Sequence, residues 1–217
     1  MVSLLLDLDS DVTARNRSGN TAYTMAACYG HMNVLQELIK HDTKGLGINI
    51  LNNEGNSALM FASREFPEVV DLLLKHGANW SSKPNLQTSL QISAAQTHSV
   101  GGQIMKIILE HVFKSTDKET TTQFVNMKFQ NKSALLYAIE SNSQDIVEKV
   151  KLLIQYNADI YQKFKQKNMI TLSREIKDVE NRKKCVEVLE NEWNRLNLIA
   201  EEAMIHLTGT QEPKKAK

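Results

Sequence analysis

Apolar stripes with a spacing of three and four recur along this chain. Val34-Leu-Gln-Glu-Leu-Ile, Val69-Val-Asp-Leu-Leu-Leu, Ile104-Met-Lys-Ile-Ile-Leu and Val150-Lys-Leu-Leu-Ile each carry apolar residues at i, i+3 and i+4, which predicts a helix with one buried face. A shorter segment of another kind precedes each stripe. These are Gly19-Asn-Thr-Ala-Tyr-Thr-Met-Ala, Gly55-Asn-Ser-Ala-Leu-Met-Phe-Ala, Gln87-Thr-Ser-Leu-Gln-Ile-Ser and Lys132-Ser-Ala-Leu-Leu-Tyr-Ala. Thr21, Ser57, Thr88 and Ser133 occupy the same place in each and predict N-caps, since a hydroxyl there accepts from an orphan amide. The run Ala26-Ala-Cys keeps the first short helix thin, and Gly30 supplies a conformation that a side chain resists.

The pattern therefore predicts two-helix units, a thin inner helix followed by a longer outer one. One such unit cannot hide its own apolar face, so units must stack. Gly77-Ala-Asn turns the chain out of the second outer helix towards the next unit. Trp80, just beyond it, is expected between units. The interval from Thr88 to Ser133 is the longest. It predicts insertions at Ser99-Val-Gly-Gly, between the helices of the third unit, and at Lys114–Thr122, a polar and mobile segment. Lys44-Gly-Leu-Gly lengthens the outgoing loop of the first unit.

These residues resemble the ankyrin repeat, whose pattern runs G-x-T-P-L-H-x-A-A-x-x-G-H and then V-V-x-x-L-L-x-x-G-A-D. Leu86 and Asn131 stand in the leading Gly place, and Thr24, Met60, Gln91 and Leu136 stand in the His place. The resemblance implies an all-α ankyrin-repeat solenoid of stacked helix-turn-helix units with hairpin-like loops and a long C-terminal helix. The expected layout is an array over residues 1–167, with a half repeat at 1–16 and repeats at about 17–50, 51–82, 83–127 and 128–161. A degraded repeat and capping helix follow over 168–208, and a disordered basic tail over 209–217. Leu4-Leu-Leu reads as the tail of an outer helix, so the chain is expected either to be cut from a longer array or to start natively with this short apolar segment folded back as an atypical cap. Along the last helix Cys185, Leu189, Trp193, Leu196, Ala200, Ala203 and Leu207 form one stripe. It serves either as a cap on the last repeat or as a surface for a partner helix, including a second copy.

Composition adds exclusions. The 217 residues include 41% hydrophobic and 24% charged residues and a formal net charge of +1. Such a balance creates no global field for a polyanion, and base-stacking aromatics set among Lys and Arg are not expected, so no nucleic-acid partner is expected. No apolar stretch reaches the length that spans a bilayer. The N-terminus lacks the basic and apolar regions of a signal peptide. Two cysteines make neither a disulfide framework nor a zinc site, which suits cytoplasm or nucleus. No phosphate loop, H-E-x-x-H or nucleophile elbow occurs. Cys28 and His31 are three apart, but the resemblance gives His31 a structural role in the turn. No cofactor, metal or catalytic set is expected.

The resemblance implies non-catalytic binding of a protein or peptide segment on a concave face built from hairpin tips and inner-helix ends. Carried over position by position, that face contains Arg17, Ser18, Asn20 and Tyr29 in the first unit. The second contributes Asn53, Glu54, Asn56, Arg64 and Glu65; the third Asn85, Gln87 and Gln96; the fourth Phe129, Gln130, Lys132 and Glu140. Tyr29 and Phe129 are the aromatic anchors of this set. The rival expectation is that the chain directs partners or substrates to a catalytic domain elsewhere in a larger protein.

Overall fold

A computed structural model describes residues 10–81 and 86–208. Leu4–Leu6, Asn85, the side chain of Leu207 and the expected basic tail lie outside the described residues. Inner helices α1 (Ala22–Cys28), α3 (Ala58–Ala62) and α5 (Ser89–Ala94) alternate with outer helices α2 (Met32–His41), α4 (Pro67–Lys75) and α6 (Val100–Ser115). After α7 (Lys118–Val125) come the pair α8 (Ala134–Glu140) and α9 (Ile146–Gln155), a two-stranded hairpin of β1 (Lys163–Phe164) and β2 (Lys167–Asn168), and the pair α10 (Met169–Ser173) and α11 (Val179–Thr208).

Each inner helix begins at the expected cap. The Thr21 hydroxyl accepts from the Thr24 amide at 3.3 Å, and the Thr24 hydroxyl in turn accepts from the Thr21 amide at 2.7 Å. Ser57, Thr88 and Ser133 accept from the amides of Met60, Gln91 and Leu136 in the same way. Asn168 does so for α10, accepting from the Thr171 amide at 2.8 Å. Short helices of this kind are not stable alone; each packs against its own outer helix and the neighbouring inner helix. The result is one continuous apolar core from Tyr23 to Leu189, with Ala27, Leu73, Leu90, Leu135 and Leu153 fully enclosed.

Turn chemistry recurs with the units. After α4, Gly77 takes φ +85° and the Ala78 amide donates back to the Leu73 carbonyl at 2.9 Å. After α9, Asn157 takes φ +62° and Ala158 donates to Leu153 at 2.9 Å. Both are Schellman-type ends, which favour Gly and then Asn. Asparagines also tie successive units. The Asn49 side chain donates to the Gly77 carbonyl (3.0 Å) and accepts from the Asn79 amide (2.7 Å). Asn126 does the same to Asn157 (2.9 Å) and Asp159 (2.7 Å).

Two expectations for the third unit are corrected. Val100, Gly101 and Gly102 are not a loop between helices; they form the first turn of α6. The reason is a buried lysine. Lys149, on α9, is fully enclosed, and its ammonium donates to the Gln96 carbonyl (2.6 Å) and Ser143 hydroxyl (3.0 Å) and pairs with Asp145 at 3.2 Å. Asp145 in turn accepts from the Gly102 amide at 2.8 Å. A Cβ on Gly101 would lie 2.5 Å from the Ser93 carbonyl and 2.9 Å from the Lys149 stem, so only glycine fits between that backbone and Lys149.

The second correction concerns Lys114–Thr122. Helix α6 continues through Lys114, and Asp117 then caps α7, accepting from the Thr120 amide at 2.7 Å. This polar segment is helical because its sequence leads into Phe124 and Val125, which it buries. The Phe124 ring meets the half-buried Trp80 edge-on at 4.9 Å, between units as expected.

Helix α11 packs on the array along its first half only. Cys185 and Leu189 are fully buried against α9 and α10. Trp193 and Leu196 are half-buried, with the Tyr161 ring 4.5 Å from Trp193. Ala200 and Ala203 are exposed, as are Leu198 and Ile199.

Candidate binding surface

The inner helices present one face outward. Four residues after each cap stand Met25, Phe61, Ile92 and Tyr137. Because successive inner helices lie side by side, these side chains form a row across the units. Met25 is 37% exposed, Phe61 and Tyr137 are half-buried, and Ile92 is nearly covered. The row does not stand out in the repeat pattern, whose marks are the hydroxyl caps and the Ala positions. The signal was an apolar residue at a fixed distance from every hydroxyl cap.

Polar side chains flank the row. Tyr29 is 61% exposed and stacks on His31, ring centroids 6.0 Å apart. The Arg64 guanidinium lies over the Phe61 ring at 5.3 Å, beside exposed Glu65. Lys132 pairs with Glu140 at 2.7 Å and lies over the Tyr137 ring at 5.6 Å. Burial pushes the Tyr137 phenol up, Lys132 opposing and Glu140 assisting.

The expected surface residues divide into free and engaged. Arg17, Ser18 and Gln130 are exposed at hairpin tips, and Glu54 is exposed but engaged. Asn53 is exposed too, but its side chain donates to the Arg17 carbonyl (3.0 Å) and accepts from Arg15 (3.3 Å). Asn20 accepts from the side chain of Asn52 at 2.9 Å. Both therefore fasten the first hairpin to the second. Asn56 donates to Glu54 at 3.1 Å. Gln87 is half-buried, and Gln96 donates to the Ile92 carbonyl at 3.1 Å. Phe129 is half-buried and bridges Lys132 across a tight turn.

Residues 1–84 match the family model described as ankyrin repeats (3 copies). Ankyrin repeats are thus shown for this first part of the chain. Ankyrin repeats are generally protein–protein interaction modules and typically non-catalytic. The fold is mostly helical, with one two-stranded sheet among the described residues. Among those residues no cluster of His, Cys, Asp or Glu could hold a metal ion, and no helix is long and apolar enough to cross a membrane. Cys28 is half-buried and Cys185 buried, both free thiols. Burial pushes the Cys185 thiol up to about 11, which suppresses the thiolate needed for nucleophilic chemistry.

Proposed function

We propose that this ankyrin array binds a segment of another protein along the row Met25, Phe61, Ile92 and Tyr137. The observation that carries the reading is the placement of Met25, Phe61 and Tyr137, apolar side chains left partly exposed between polar flanks. An apolar centre with a polar rim is the anatomy of a protein interface. Helices fixed on both sides by packing bind without an ordering cost. Tyr29 and Arg64, of the residue types enriched among interface anchors, extend the row at its edge. The repeats are assigned as a leading half unit, four units over residues 17–161 and a divergent last unit closed by α11. Two unpaired cysteines suit a reducing compartment, cytoplasm or nucleus.

Affinity capture with the whole chain tests the reading. Met25→Ser/Phe61→Ser should keep the wild-type circular dichroism and lose the captured partners. Equal recovery by variant and wild type refutes it.

A further inference from the structure

A second repeated motif lies at the other end of the array. Lys128-Phe-Gln-Asn-Lys132 and Lys163-Phe-Lys-Gln-Lys167 share the frame Lys-Phe-x-x-Lys. Both fold as two-residue hairpins. Gln130 and Asn131 have φ +51° and +62°, Lys165 and Gln166 +49° and +65°. Phe129 pairs with Lys132, and Phe164 with Lys167. Positive φ at both central residues gives the turn whose twist suits a hairpin. The two hairpins are neighbours in space, since the Lys132 ammonium lies 5.2 Å from the centre of the Phe164 ring. Lys165 lies over the same ring at 5.4 Å.

Charge is concentrated there. Lys132 is paired with Glu140, and Lys167 with Glu175. Lys128, Lys163 and Lys165 are exposed and have no ion-pair partner among the described residues. Asp159, the nearest acid in sequence, is occupied with the Tyr161 amide at 2.9 Å. We propose that these two hairpins form a docking platform for an acidic, extended peptide segment of the partner. The proposal rests on the reading that the partner is a protein segment. Neighbouring units are offset by about 8–10 Å, the separation of packed helices. An extended chain covers that in about three residues, so carboxylates three apart reach both hairpins. Charge complementarity here selects and steers the partner. Single-stranded nucleic acid fits less well, because it needs open aromatic faces; Phe164 carries two ammonium groups and Phe129 is half-buried.

Fluorescence anisotropy with the full chain tests the platform. The probes are labelled (Glu-Ala-Gly)4, its amide counterpart (Gln-Ala-Gly)4, and a thymidine 12-mer. The acidic peptide should bind, and the amide peptide should not. Lys128→Gln/Lys163→Gln should weaken the acidic peptide roughly three- to tenfold with an unchanged melting curve. Met25→Ser/Phe61→Ser should leave this binding intact. Loss of partner capture in that variant tests the apolar row separately, so the two ideas can fail independently. Equal binding of acid and amide peptides, no effect of the lysine variant, or tighter binding of the oligonucleotide overturns the platform.

Discussion

Changing Asp145 to asparagine would leave the Lys149 ammonium enclosed without its counter-charge. Lys149 is fully buried and Asp145 only 12% exposed at the side chain, so solvent does little to replace the lost carboxylate. Removing one partner of such a pair costs about 3–5 kcal/mol. The lower figure, about 3 kcal/mol, applies here, because the Gln96 carbonyl and Ser143 hydroxyl still hold the ammonium. Lys149→Met removes the charge and leaves Asp145 with the Gly102 amide. The double variant Asp145→Asn/Lys149→Met strands no charge and should lie within about 1.5 kcal/mol of wild type. Urea unfolding followed by far-UV circular dichroism gives the four stabilities and the coupling. Additive losses, or Asp145→Asn within about 0.5 kcal/mol of wild type, would refute the assignment of a buried, mutually dependent pair. The pH dependence supplies a second check. Burial pulls the Lys149 ammonium below the ordinary lysine value of 10.5, with Asp145 opposing. Between its folded value and 10.5 the unfolded chain binds more protons, so stability rises with pH in that window. Wild type should therefore gain on Lys149→Met as pH climbs towards 10.5.

Three further outcomes are expected. Gly101→Ala should cost at least about 2 kcal/mol in the same urea assay, since its methyl group meets a carbonyl and the Lys149 stem. Gln166→Gly, at φ +65°, should stabilise by about 1 kcal/mol through relief of the left-handed conformation, read as a rise in melting temperature. With a thiol reagent at neutral pH, Cys28 should react on mixing and Cys185 only on the timescale of unfolding; two fast thiols would contradict the burial of Cys185.

The alternation of thin and thick helices was readable because caps and apolar stripes are local. Thr21, Ser57, Thr88, Ser133 and Asn168 each cap a helix within a few residues of themselves, and no distant contact is needed to predict that. Lys149 was not readable. A lysine in Glu148-Lys-Val-Lys suggests a wet helix face, and only the juxtaposition with Gly101, Gly102 and Gln96 of the preceding unit shows otherwise. The same juxtaposition explains the glycine pair, which in sequence resembles a loop. At the surface, the offset from cap to Met25, Phe61, Ile92 and Tyr137 was present in the sequence but only becomes a row once the inner helices stand side by side. Asn20 and Asn53 look like free tips in sequence; which neighbour each one grips depends on how two hairpins align.

Because Asn49 and Asn126 each clasp the backbone that leaves the following outer helix, a pull on the two ends loads amide and carbonyl groups rather than side-chain grease. Such clasps act in shear and resist best when several break together. The Lys149 ammonium, reaching from α9 to the Gln96 carbonyl just past α5, adds a rivet at mid-length, so a stretched chain should peel from its termini inward, keeping the central units as the last mechanical element to open.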